Sequence, residues 1–405
     1  MKIKHALILL TVVSVVCDTL LLPFYPQFFA ETFGQDDPRH VGMYIAACCI
    51  TVMLAFPVWA RVAKSVHELH LWVYTQIAAG ILGIGCFFAT SLPAFWVISQ
   101  TMLVFKASYL LIYPFVMRLE EKDKHLGMVG LFSVLMHFGG IGGALLGGLT
   151  LQVFEPRDVY LIMAAGDALQ VLVCLYLIKR HQVPAKREPG DVAPDPALPR
   201  RPRHPFGSLV YRLGLVTAVF YFSAFLIRPF FSLYWESISD LGGEILTGFV
   251  YSIPAWAALA GLWLNSRSTR ATPRQRHIMS AFLLGVLGLF LQGTQQELIV
   301  LAGRCLFGWA MFQATVRLEV LLFNISTPES YATDFSKIHL FQNIGVLLSA
   351  FAGGAIVAAF GLQLPFVFAC LGLLVTALLF YRLLPAEADG TGDAVAGSDL
   401  MAGRG

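Results

Sequence analysis

Residues 70–117 read HLWVYTQIAAGILGIGCFFATSLPAFWVISQTMLVFKASYLLIYPFVM, and Lys106 is the one side chain among those 48 that carries a fixed charge. Crossing about 30 Å of hydrocarbon takes about 20 apolar residues of helix, so the stretch holds two crossings, 70–91 and 93–117, back to back. The rest of the chain has the same character. Of its 405 residues 57% are hydrophobic and 13% charged, with a mean hydropathy of +0.70, whereas soluble domains carry about 25% charge. A soluble fold is excluded.

Working outward, comparable runs occur at 5–30, 41–63, 126–153, 158–179, 209–235, 244–265, 277–295, 297–323, 332–360 and 362–381. The expectation is an all-α integral membrane protein with twelve transmembrane helices. Only one connection is long: residues 181–208, HQVPAKREPGDVAPDPALPRRPRHPFGS, are rich in Pro and basic residues and build neither a core nor a regular helix. It divides an N-terminal six-helix bundle, 1–180, from a C-terminal one, 209–384. The tail, 385–405, is Gly, Ala and Asp with little to pack and is expected to be disordered. The opening MKIKHALILL resembles a signal peptide, but Asp18, Pro23 and Pro26 follow without a small-residue cleavage pattern, so the first run is expected to stay as a helix. Seven scattered cysteines, Cys48 and Cys49 adjacent among them, suggest reduced structural thiols rather than a disulfide framework.

Lys and Arg collect on the cytoplasmic side of a membrane. With the N-terminus inside, 22 of the 28 fall there, only Arg39 and Arg157 fall outside, and Lys106, Arg228, Arg304 and Arg317 lie within spans. Both termini and the linker are therefore expected in the cytoplasm, in a bacterial inner membrane. The net charge of +3 belongs to these topogenic loops, and RRPRH in the linker suits lipid headgroups, so a nucleic-acid partner is not expected.

The halves echo one another. VMRLEE at 116–121 matches VRLEV at 316–320, and HFGGIGGALLGG at 137–148 matches LFQNIGVLLSAFAGG at 340–354 when Phe138 is aligned with Phe341. Two pseudo-symmetric bundles related along the membrane normal, with a site at their interface, are the expectation.

Ionisable groups at membrane depth face a cavity or a partner. Asp18 and Lys106 each sit about 13 residues into their spans, at 1.5 Å per residue close to one depth, and are read as an ion pair or a shared proton-dependent site, with a purely structural pair as the alternative. Tyr109 and Tyr113 extend the Lys106 stripe toward a cavity lining, or else pack. Arg228 and Arg304 lie about two helical turns from the outer end; they either offer guanidinium forks to an anionic solute or snorkel to headgroups. Gln342 and Asn343 either bind solute or link helices. Arg317 and Glu319, with Arg118 and Glu120 in the matching place of the first half, are read as cytoplasmic gate contacts. Asp167, beside Gly166 and with Gln170 three residues on, is read as structural, paired with His137 or another polar group. Gly139, Gly143, Gly147 and Gly148 recur on one helical face and permit the close approach and bending that a bundle seam needs. No metal-ligand spacing, phosphate loop or nucleophile motif is present, so neither a metal or cofactor nor an enzyme is expected.

GGIGGALLGG at 139–148 and DTLLLPFYPQF at 18–28 resemble the fifth and first helices of the major facilitator superfamily, in particular its twelve-span drug/proton antiporter-like branch, with Ala144 where that branch usually has Pro. The resemblance covers about residues 5–383. It implies Asp18 as the proton-coupling acid and the glycine segment as a seal against ion leak. The chain departs from the pattern elsewhere. AFPVWARVAKSVHELH at 55–70 has Ala60 and Lys64 where Gly and Asp are usual, Asn265 replaces the acid of the second copy, and Gln100 stands at the span-four Arg position, while Arg304 and Gly308 keep that spacing in span ten.

These readings together imply a secondary active transporter driven by the proton gradient, exporting a small organic compound by alternating access, as a monomer surrounded by membrane lipid. Uptake or exchange of an anionic metabolite or siderophore is the alternative within the class. A membrane receptor or lipid flippase is the alternative outside it.

Overall fold

The computed structural model describes residues 3–112, 115–116, 125–186, 209–267, 275–326 and 331–384. Tyr113, Arg118, Glu120, most of the linker and the tail lie outside the described residues. The described residues contain ten helices long and apolar enough to cross a membrane, and two shorter apolar helices, His5–Thr19 and His277–Gln292, complete twelve.

The first run is two helices, not the single span expected over 5–30: α1 (Ile3–Thr19) and α2 (Tyr25–Phe33). Pro23 lacks an N–H and its ring excludes the carbonyl one turn back, so the helix stops before it and restarts with Pro26 in its first turn. Gly34 ends α2 at φ 62°, a left-handed backbone that glycine adopts freely, and its N–H bonds to Ala30 O. Asp37 then caps α3 (Pro38–Val62) by accepting from the Arg39 N–H at 2.9 Å.

Next come α4 (Glu68–Phe88) and α5 (Leu92–Lys106), which tightens into a 3₁₀ segment, Ala107–Leu111. This segment is held from α4: Trp72 Nε1 donates to Ser108 O at 3.1 Å, and the Thr75 and Ser108 hydroxyls lie 2.8 Å apart. Helices α6 (His125–Val153) and α7 (Asp158–His181) follow. Run seven is also divided, into α8 (Leu209–Phe225), a 3₁₀ turn at Arg228–Phe230 around Pro229, and α9 (Phe231–Ile238). The remaining helices are α10 (Glu244–Arg267), α11 (Gln275–Gln292), α12 (Glu297–Ile325), α13 (Tyr331–Phe360) and α14 (Leu364–Leu383). The breaks in runs one, four and seven adjoin Asp18, Lys106 and Arg228 respectively. Backbone that departs from the α-helix at membrane depth persists only where protein or a cavity surrounds it.

The chain divides into two compact units. The first comprises Met1–Pro196, Ile227–Leu259 and Ala350–Gln363. Its interior has an aromatic cluster, with Phe28 and Phe95 centroids 5.3 Å apart, Phe29 and Tyr44 4.9 Å, and Phe28 and Tyr160 5.7 Å. Glycines bring its backbones together. A Cβ on Gly139, Gly143 or Gly147 would collide with Val15, Thr19 or Leu20, and one on Gly148 with the Glu244 backbone. Gly42 and Gly354 face each other the same way, across α3 and α13. In lipid, where the hydrophobic effect does not drive helices together, such close packing supplies the association.

The second unit comprises Ala197–Leu226, Ala260–Ser349 and Leu364–Gly405. Phe282 joins Phe220 at 5.4 Å and Phe380 at 5.8 Å, and Gly345 lies against Ala218 and Phe222. Between α8 and α13 runs an open apolar groove of about 350 Å³, bordered by Leu215, Phe222, Phe341 and Leu348. On both units large apolar side chains such as Leu54, Phe88, Phe290 and Leu298 stand exposed, as a surface solvated by lipid requires.

Candidate functional site

Three charges from three helices meet inside the first unit. Lys106 is the last residue of α5, where the helix tightens and turns its side chain inward. Its Nζ lies 3.0 Å from Asp18 Oδ1 on α1 and 2.7 Å from Asp167 Oδ1 on α7. Gly166 makes this meeting feasible: a Cβ there would collide with Cys17 Sγ, so the bare backbone lets α7 approach α1 beside both carboxylates.

The two acids are not equivalent. Asp18 keeps 39% of its side chain exposed, against 6% for Lys106 and none for Asp167. Ser14 donates to Asp18 Oδ2 at 3.1 Å, one helical turn away. On the sealed side Gln170 Nε2 reaches Asp167 Oδ1 at 3.5 Å, while Asp167 Oδ2 and Gln170 Oε1 are buried acceptors with no donor among the described residues. With all three groups ionised the triad carries one net negative charge. One positive charge, whether a proton or a cationic group, neutralises it, and Asp18 is the accessible door.

The expected Asp18 and Lys106 are thus in contact, and Asp167 joins them. Its partner is Lys106, which replaces the considered pairing with His137. Neighbouring glycines were the visible signal for Asp167, since an acid beside Gly166 on an apolar helix marks close backbone approach. Tyr109 is buried in the 3₁₀ segment with its ring 5.5 Å from Trp72.

The remaining expected residues are spread over both units. In the first, Arg228 Nε donates to the Tyr251 hydroxyl at 3.0 Å. In the second, Arg304 is 5% exposed within α12, too enclosed to snorkel along its own helix surface. Gln342 is buried and Asn343 exposed on α13. Arg317 donates to the His277 backbone carbonyl of α11, and Glu319 is partly buried on α12. Gly139, Gly143 and Gly147 of α6 meet α1 and the turn after it; Gly148 meets α10. Gln100 hydrogen-bonds Thr51 at 2.6 Å, tying α5 to α3.

A sequence model of the Major Facilitator Superfamily matches residues 7–334. The multi-drug resistance efflux pump PmrA of Streptococcus pneumoniae is 22% identical over 358 residues, which cover 86% of this chain and 87% of that protein. The multidrug resistance protein MdtG of Salmonella typhimurium is 28% identical over 243 residues, 56% of this chain and 57% of that one. Among solved structures, a bacterial homolog of the human lysosomal transporter Spinster, in an inward-facing and occupied conformation, superimposes with a TM-score of 0.73 at 14% identity. That match covers 96% of this chain and 98% of the other. The nucleoside transporter NupG gives 0.71 at 15% identity, covering 95% of this chain and 99% of the other. At such identity the likeness is one of fold.

Proposed function

As the chain belongs to the major facilitator superfamily, and is therefore a multi-pass membrane transporter of small solutes rather than an enzyme, we propose that it exports amphipathic organic compounds in exchange for protons. The observation that carries this reading is the Asp18–Lys106–Asp167 triad with its single surplus negative charge. A proton on Asp18 leaves Lys106 to Asp167, and the buried triad is then neutral. Loss of that proton restores the surplus charge, which attracts a cationic or dipolar solute. Proton and solute thus compete for one carboxylate, and competition at a site open to each side in turn yields exchange. The Asp167 carboxylate, whose Oδ2 has no donor among the described residues, offers the proton a second resting place when Lys106 moves.

One further fact supports the reading: the relatives PmrA and MdtG bear the names of multidrug efflux pumps. The same geometry weighs against the anionic solute at Lys106, because its ammonium is already shared by two carboxylates. The working setting of this reading is an inner membrane with both termini in the cytoplasm.

The test uses purified protein in proteoliposomes carrying a trapped pH dye, with tetraphenylphosphonium and a panel of anionic metabolites as probes. Solute-evoked proton movement is expected for the wild type and is lost in Asp18→Asn, with the folded fraction unchanged. Solute movement without proton movement, at a rate indifferent to pH, would sink the proposal.

A further inference from the structure

Nine residues beyond Asp18 and still within the first unit, Gln27 of α2 reaches Glu236 of α9. Its amide Nε2 lies 3.1 Å and 3.0 Å from the two carboxylate oxygens. Gln27 is 9% exposed, and its Oε1 is buried without a donor among the described residues. Glu236 itself is exposed. Other groups act on this carboxylate as well: Glu31 from α2, Glu244 and the Thr247 hydroxyl from α10. The amide N–H groups of Gln27 thus serve both carboxylate oxygens, while its own carbonyl oxygen, buried and without a donor among the described residues, faces a partner that has no hydrogen to give unless it is protonated.

A single proton supplies the missing donor. When Glu236 takes a proton from the solvent it touches, its new O–H can donate to Gln27 Oε1 while Gln27 Nε2 donates to the other carboxyl oxygen. A small rotation of the amide closes this ring of two hydrogen bonds. We propose that Gln27 and Glu236 form a proton-operated latch, in which the proton bound by Glu236 is held by the Gln27 amide and fastens α2 to α9. The helix that carries Gln27 ends at Gly34, toward the face that the charge distribution assigns to the outside. The latch does not depend on the role of Asp18, and its test contains no transported solute.

The test is hydrogen–deuterium exchange of the full-length protein in detergent at pH 5.5 and 7.5, with labelling times scaled for the intrinsic pH dependence of exchange. Peptides spanning 24–36 and 228–243 are followed. In the wild type their protection is expected to rise about five- to tenfold at the lower pH, the equivalent of one hydrogen bond gained. Glu236→Gln, whose amide pairs with Gln27 at any pH, is expected at the high level under both conditions. Gln27→Leu, which leaves no partner, is expected at the low level under both. The proposal falls if wild-type protection is the same at both pH values. It also falls if the response persists in Glu236→Gln, which would assign it to Glu31 or Glu244, or if that variant stays at the low level.

Discussion

At the scale of single residues, Lys106 decides more than its neighbours do, because it is buried and answers to two acids. Replacing it with Met strands Asp167 in a sealed site, and removal of one partner of a buried pair costs about 3–5 kcal/mol. The Lys106→Met variant should show that loss in thermal or denaturant unfolding in detergent. The double variant Lys106→Met/Asp167→Leu should recover most of it while remaining unable to transport. If the single variant is as stable as wild type, the triad is not a closed electrostatic unit. Asp18 and Lys106 were legible in the sequence because helix depth can be counted from the ends of an apolar run. Asp167 was less so: depth says nothing of which way a helix is turned, and only the contact of Gly166 with Cys17 settles that. Gln27 and Glu236, 209 residues apart, leave no local mark at all.

At the scale of elements, the glycines of α6 provide a test with its own control. Gly143 faces Thr19, so Gly143→Ala forces α1 and α6 apart, whereas Gly140 has no neighbour within 4 Å of a Cβ. In a helix interior Ala is favoured over Gly by about 1 kcal/mol. Melting in detergent should therefore move in opposite directions, Gly140→Ala upward and Gly143→Ala downward, and a fall in both would mean that the seam is not built as described. The helices themselves followed from apolar run length. Two of the three breaks had a written cause in Pro23 and Pro229, though the expected spans ran through both. The 3₁₀ segment after Lys106 had none, since it is imposed by Trp72 and Thr75 from another helix.

At the scale of the whole molecule, twelve apolar runs identify the fold class because a bilayer admits so few alternatives. Direction across the membrane rests on the distribution of Lys and Arg. A green fluorescent protein fused after Gly405 should fluoresce in bacterial cells, and alkaline phosphatase at the same point should be inactive; the opposite pair of results would invert the topology. Five residues of 3₁₀ helix at Ala107–Leu111 also carry a mechanical meaning. A 3₁₀ helix advances about 2.0 Å and 120° per residue, an α-helix about 1.5 Å and 100°. Were those five to relax to α when the hold of Trp72 and Thr75 on Ser108 loosens, the chain beyond them would be drawn in by about 2.5 Å and turned by about 100°. The fourth span would then act as a screw, with one tryptophan and one threonine as its stop.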